Sequence, residues 1–173
     1  TLLGIEHRYH RVMLAGGGHI GSGLAKQLEH DYRVKLIDRS PDRGLVVAEN
    51  LSETVVLKGD ISDTDLLISE GIDDIDVFCA VTNDDEANMM SAILAKRLGA
   101  KNTIALVNRQ TYAHYLIERS PDIDIAISPQ RITGGVILKH LRKGDMINVY
   151  PLPRSSSEAV ELIAHGSHLK SKV

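Results

Sequence analysis

The chain has 173 residues, 43% of them apolar and 25% charged, with a net charge of −3. That near-neutral balance argues against a dedicated nucleic-acid binder, which carries a basic excess. The single cysteine, Cys79, excludes an internal disulfide, and no apolar run approaches the ~18 residues of a membrane-spanning helix.

At this length one domain plus a small extra piece is expected, able to bury a core without metal or disulfide. The N-terminal "TLLGIEHRYHR" lacks the apolar core of a signal peptide and does not begin with Met. It reads as the middle of a longer chain working in the cytoplasm. Short β-type runs follow: "RVMLA" (11–15), "RVKLI" (33–37), "TVVL" (54–57), "DVFCAV" (76–81), "TIALV" (103–107) and "DIAI" (124–127). Several are apolar on both faces of the pleat, as in parallel strands covered on both sides. Cys79, inside the fourth run, reads as a buried core residue. The clearest intervening helix is "DDEANMMSAILAKRLGA", Asp84 to Ala100, with Ala87, Met90, Ile93, Leu94 and Leu98 on one face. Acids open it, Lys96, Arg97 and Gly99 close it, and Met89 and Met90 read as core filler. Six strand–helix alternations predict an α/β fold, a Rossmann-like doubly wound parallel six-stranded sheet.

A further helix is expected from Pro129 to Asp145, where Gly134 and Gly135 would cost about 1 kcal/mol each relative to Ala. Close approach of another backbone would offset that loss. Residues 11–145 are then the nucleotide-binding domain, 146–157 a linker containing "PLPRSSS", and 158–173 the start of a second small lobe.

The candidate site begins with Gly16, Gly17, Gly18, His19, Ile20 and Gly21, a G-x-G-x-x-G turn directly after the first strand. The first glycine allows the tight turn, the second admits a pyrophosphate, and the third lets helix and strand pack closely. The helix N-terminus then offers N–H groups and a positive dipole end to phosphates. Asp38, with Arg39 beside it, ends the second strand 17 residues beyond Gly21. A carboxylate there accepts from both hydroxyls of an adenosine ribose and repels a 2′-phosphate, which favours NAD or NADH over NADP. On the same rim lie Gly59, Asp60 and Ile61 after strand three, Thr82, Asn83, Asp84 and Asp85 after strand four, and Arg109 after strand five. Asp60 and Ile61 suit an adenine, the planar fork of Arg109 suits a phosphate, and Asp84 serves equally as a helix cap.

Catalytic groups are not evident. A Tyr-x-x-x-Lys pair is missing, since Tyr112 is followed at that spacing by Leu116 and Tyr115 by Arg119. There is no G-x-S-x-G elbow, and neither His7 and His10 nor His165 and His168 have the company of a metal-ligand set. A dehydrogenase or S-adenosylmethionine-dependent methyltransferase remains the alternative class. A NAD-binding repressor is disfavoured for want of a basic helix-turn-helix segment.

The motifs "AGGGHIG", "LID", "GD", "AVTNDDEANMMSAILAKRLGA", "VNR" and "SP" resemble the nucleotide-binding lobe of RCK (also called KTN) domains. More narrowly, they resemble the second such lobe of the regulatory subunits of bacterial Trk potassium-uptake systems. The resemblance implies a non-catalytic regulator on the inner face of the membrane, forming homodimers or a gating ring on a potassium-translocating subunit. It assigns the glycine turn to a pyrophosphate, Asp38 to ribose, Asp60 and Ile61 to adenine, and Thr82, Asn83 and Arg109 to the far end of the ligand. The helix from Pro129 would cross onto a partner subunit. ATP-sensing members carry Arg at the position of His19 and Glu at that of Gln130. NAD or NADH is therefore the favoured ligand, with ATP or ADP as competitors.

Overall fold

Alternation of apolar side chains along Val12, Met13, Leu14 and Ala15, each at most 4% exposed, gives the first strand two buried faces. Only a sheet covered on both sides can hold such a strand. In the computed structural model, residues 10–109, 112, 121–130 and 132–133 are described, together with the backbone of 146–151 and 158–162. The first compact unit, Thr1–Ile127, contains six parallel strands. They are β1 (Arg11–Ala15), β2 (Arg33–Asp38), β3 (Val55–Lys58), β4 (Val77–Ala80), β5 (Asn102–Leu106) and β6 (Ile125–Ile127). Their spatial order, β3-β2-β1-β4-β5-β6, is the doubly wound order expected from the sequence. Helices α1 (His19–Leu28), α2 (Pro41–Asn50), α3 (Thr64–Ser69) and α4 (Asp85–Arg97) form the crossovers.

The core divides by strand parity. Val12, Leu14, Val34, Leu36 and Cys79 face one way, with Ala25 of α1 and Val47 of α2. Met13, Ala15, Ile37 and Phe78 face the other, with Leu67 of α3 and Ala95 of α4. Burial pushes the Cys79 thiol up to about 11, as befits the inert core position read from its apolar neighbours.

Met90 departs from expectation. It is 64% exposed and borders the cleft described below, whereas Met89 packs against Ala92, Ala105 and Val107. The buried face of α4 is instead Asp85, Asn88, Ser91, Ala92 and Ala95, because hydrogen bonds draw polar residues inward at its first turns. Its C-terminus closes as its sequence suggests: the Ala100 N–H reaches back to the Ala95 carbonyl, and Gly99 takes φ +112°. Glu29, buried just past α1, accepts from the N–H groups of Ser52, Glu53 and Thr54 and so fixes the entry to β3. The Glu53 N–H, with those of Ser52 and Thr54, holds this carboxyl below its ordinary range.

The second compact unit, Ser128–Val173, contains β7 (Met146–Pro151) paired antiparallel with β8 (Glu158–Leu162). Met146–Pro151 fall in the segment read from sequence as linker. The helix expected from Pro129, with its Gly134–Gly135 pair, lies outside the described residues beyond position 133, as do His7, Tyr115, His165 and His168.

Candidate functional site

The carboxyl ends of the strands open onto a cleft of about 1210 Å³ centred on the switch between β1 and β4. That exceeds the roughly 300–1,000 Å³ of ordinary small-molecule sites. At its floor, Gly16 turns with φ +109°, and a Cβ there would press on Thr82 at 2.9 Å. A Cβ on Gly21 would lie 1.8 Å from the Gly16 carbonyl oxygen, so the helix can start this close to the strand only with glycine. Gly18 differs: its backbone is ordinary, and a Cβ would meet nothing within 4 Å. The space above it is open, and Gly18 caps α1 without any side-chain hydrogen bond. The first N–H groups of α1 are thus left to be met from outside, as an anion would. His19 and Ile20 are exposed beside it, and both line the cleft.

On the β2 side, the Asp38 carboxylate is nearly covered, with its side chain 3% exposed. The Gly17 N–H donates to its Oδ2 at 2.7 Å, and the Ser40 N–H donates to Oδ1 at 2.8 Å. Arg43 of α2 adds its Nη1 at 3.2 Å from Oδ2. Arg39, Gly59, Asp60 and Ile61 complete this wall. The Ser62 hydroxyl and N–H donate to Asp60 Oδ1, which with Arg39 nearby holds the Asp60 carboxyl below its ordinary range.

On the β4–β5 side, Thr82, Asn83 and Asp84 line the cleft as expected, but two of their side chains serve the fold. Asp84 caps α4, its Oδ1 accepting from the Ala87 N–H at 2.9 Å. The Thr82 hydroxyl donates to Asn88 Oδ1 at 2.6 Å. Asn88 is wholly buried: its Oδ1 also accepts from the Thr82 N–H, and its Nδ2 donates to the carbonyls of Thr82 and Leu106. Every donor and acceptor of the amide is used. Asp85 accepts from the Asn108 N–H and Nδ2 and from the Arg109 N–H. Burial opposes its ionisation, but those donors prevail and hold its carboxyl below the ordinary range.

Arg109 does not join the cleft wall. Its Nη1 lies 3.1 Å from Glu86 Oε1 and 3.3 Å from the Tyr112 hydroxyl. The Tyr112 hydroxyl and the Glu86 carboxylate raise the Arg109 pKa, and they engage the fork that the sequence offers to a phosphate. The sequence reading placed Asp85 on this rim and gave Asn88 no role of its own, and it passed over Arg43 and Asn108. The helix signal around Arg43 was present in Ser40-Pro41, a cap followed by proline at the first helical position.

The arrangement offers an acceptor for paired hydroxyl donors at one end, an anion cradle in the middle, and a half-apolar wall of Val81, Ala87, Met90 and Leu106 at the other. The model of the TrkA-N domain family matches residues 12–129. The chain belongs to this family. Over 169 residues, this TrkA-N chain is 47% identical to the Trk system potassium uptake protein TrkA of Halomonas elongata. That alignment covers 98% of the chain and 36% of the relative, so the chain spans about a third of the length of the curated relatives it matches. Among solved structures, the TrkA-N domain of inner membrane protein ybaL from Escherichia coli superposes with a TM-score of 0.66 at 18% identity, over 79% of this chain and 99% of that one. The GsuK channel bound to NAD superposes with a TM-score of 0.63 at 18% identity, over 75% of this chain and 23% of that one. The same channel is also known bound to ADP. The fold predicted from the glycine turn and the strand alternation is therefore the observed one.

Proposed function

We propose that this TrkA-N chain is the nucleotide-sensing lobe of a regulatory subunit of a potassium-uptake system, non-catalytic, and that its ligand is NAD or NADH. The observation that carries the transport role is the 47% identity, across nearly the whole chain, to a potassium uptake protein. Residues 11–145 form the sensing domain in this reading, and 158–173 open the next lobe. In that role the chain sits at the inner face of the membrane, in a dimer or larger ring, and acts on a potassium-translocating partner. Among the described residues, no helix is long and apolar enough to cross a membrane itself.

The cleft fits the ligand. Gly16, Gly17, Gly18, His19, Ile20 and Gly21 would hold the pyrophosphate through backbone N–H groups, and the open space above Gly18 supports that assignment. Asp38, beside Arg39, would take the ribose, and Gly59, Asp60 and Ile61 the adenine. Asn83, with the backbone of Thr82 and Asp84, would meet the far end, and Arg109 would join only after leaving Glu86. A nucleotide gates a partner only by binding two conformations with different affinity, so the cleft need not do chemistry. ADP or ATP is the second reading, favoured because a protein of the same fold binds ADP.

A thermal-shift titration of the chain with NAD, NADH, ADP, ATP and S-adenosylmethionine tests this. NAD or NADH should raise Tm by about 5–10 °C at roughly a hundred times Kd. Preference for ADP or ATP would move the reading to energy-charge sensing. A response to S-adenosylmethionine alone would overturn it.

A further inference from the structure

Arg43 stands in a place that local helix physics disfavours. It is the third residue of α2, after the Ser40 cap, Pro41 and Asp42, and its N–H donates to the Ser40 hydroxyl at 3.3 Å. A cation in a first turn opposes the helix dipole, and acids are preferred there. Side chains on a helix lean toward its N-terminus, so from this position the long Arg43 stem runs back over the cap. It ends on Asp38, 3.2 Å from Oδ2, while its own side chain remains 54% exposed at the border of the cleft. The local conflict is thus resolved by a single contact, with the carboxylate assigned above to the ribose.

The acceptor capacity of Asp38 is limited. A carboxylate offers about four lone-pair sites. Gly17 and Arg43 occupy Oδ2, and Ser40 occupies one site of Oδ1, which leaves one site for a ligand. A vicinal diol brings two O–H donors. Resting on the nucleotide reading of the cleft, we propose that Arg43 is a specificity-determining residue that competes with the ribose diol for Asp38. A ligand with both hydroxyls displaces the guanidinium, whereas a 2′-deoxy ligand uses the one remaining site and leaves the pair intact. Gly17 and Ser40 cannot yield in the same way, because their N–H groups belong to the glycine turn and the helix cap. Arg43 is the one donor of the three on a flexible, solvent-facing stem.

Calorimetry on the 173-residue chain with NAD, ADP and 2′-deoxy-ADP tests the assignment in wild type, Arg43→Ala, Arg43→Lys and Asp38→Ala. Removing an ion pair of this exposure should tighten NAD and ADP by about two- to fivefold. Binding of 2′-deoxy-ADP should stay the same, so the preference for ribose over deoxyribose widens. Arg43→Lys, which keeps the charge without the fork, should fall between wild type and Arg43→Ala. An equal gain for ADP and 2′-deoxy-ADP, an unchanged affinity, or a loss for both would each overturn the competition. Arg43 would then be indifferent to the diol or a direct contact of the ligand. If wild type binds neither NAD nor ADP, the nucleotide reading fails and takes this one with it. If wild type binds and Asp38→Ala does not, the nucleotide reading stands and the Arg43 variants alone decide.

Discussion

The two walls of the cleft use their polar residues in opposite ways. The β1–β3 wall holds groups with capacity to spare: the Asp38 carboxylate with an acceptor site left, a helix N-terminus with no side-chain cap, and open space above Gly18. The β4–β5 wall is denser in polar residues, yet spends them on itself. Asn88 and Asp85 tie the loops after β4 and β5 to the first turns of α4, and Asp84 caps that helix. A run of polar residues at the ligand rim is therefore not a run of ligand contacts. Spare hydrogen-bonding capacity separates the wall proposed above to hold the ribose and pyrophosphate from the wall whose side chains hold the rim in shape.

Replacing the wholly buried Asn88 is the severest test of that division. Asn88→Leu should destabilise the fold by about 3 kcal/mol, since it leaves the Thr82 N–H, the Thr82 carbonyl and the Leu106 carbonyl without their partner. Thermal unfolding should show Tm lowered by roughly 6–12 °C. A variant as stable as wild type would mean that the β4–β5 wall is not scaffold after all.

Gly18→Val probes the other wall and should behave inversely. The added side chain enters open space in an ordinary backbone conformation, so stability should hold to within about 0.5 kcal/mol. Nucleotide affinity should fall on the order of tenfold, because the pyrophosphate loses its approach to the backbone. Calorimetry and unfolding on one preparation separate the effects, and affinity equal to wild type would remove the phosphate from the glycine turn.

The smallest effect sharpens the comparison from outside the rim, at the amino ends of the central strands. There Asp76 accepts from the His10 and Arg11 N–H groups and from Lys101 Nζ at 2.7 Å. The Lys101 hydrogen bond, then those backbone donors, lower its pKa from 3.8 to about 2. A carboxyl lowered on folding stabilises above its unfolded pKa and loses that contribution as pH falls toward its folded value. Asp76→Asn should cost about 1 kcal/mol at neutral pH, and the gap to wild type should close between about pH 4 and pH 2. A gap independent of pH would mean that shape, not charge, is at work there.

Much of this was legible in the chain. Gly16 and Gly21 could be read because backbone geometry admits so few residues at those positions, and Asp38 because the end of β2 follows from a run of apolar residues. Asp84 was legible as a cap because capping depends on only three neighbouring positions. Met90 was misread as core, and the Glu86 pairing of Arg109 went unread, for a shared reason. Apolar periodicity and residue chemistry give what a side chain can do, while its direction is set by neighbours distant in sequence. Met90 is turned outward because Asp85 and Asn88 are drawn inward, toward the end of β5 and the loop after it, some twenty positions away. Arg109 is held by Glu86 across a similar span, and by the nearby Tyr112.

The sequence by itself determined the parallel sheet, its glycine turn and the acid at the end of β2, because periodicity, turn chemistry and helix starts are short-range properties. Only the tertiary structure decided which polar groups remain available. Hydrogen-bond capacity is consumed pairwise through space, so Asn88 is saturated, Asp38 keeps one acceptor, and Arg43 lies between that carboxylate and the solvent.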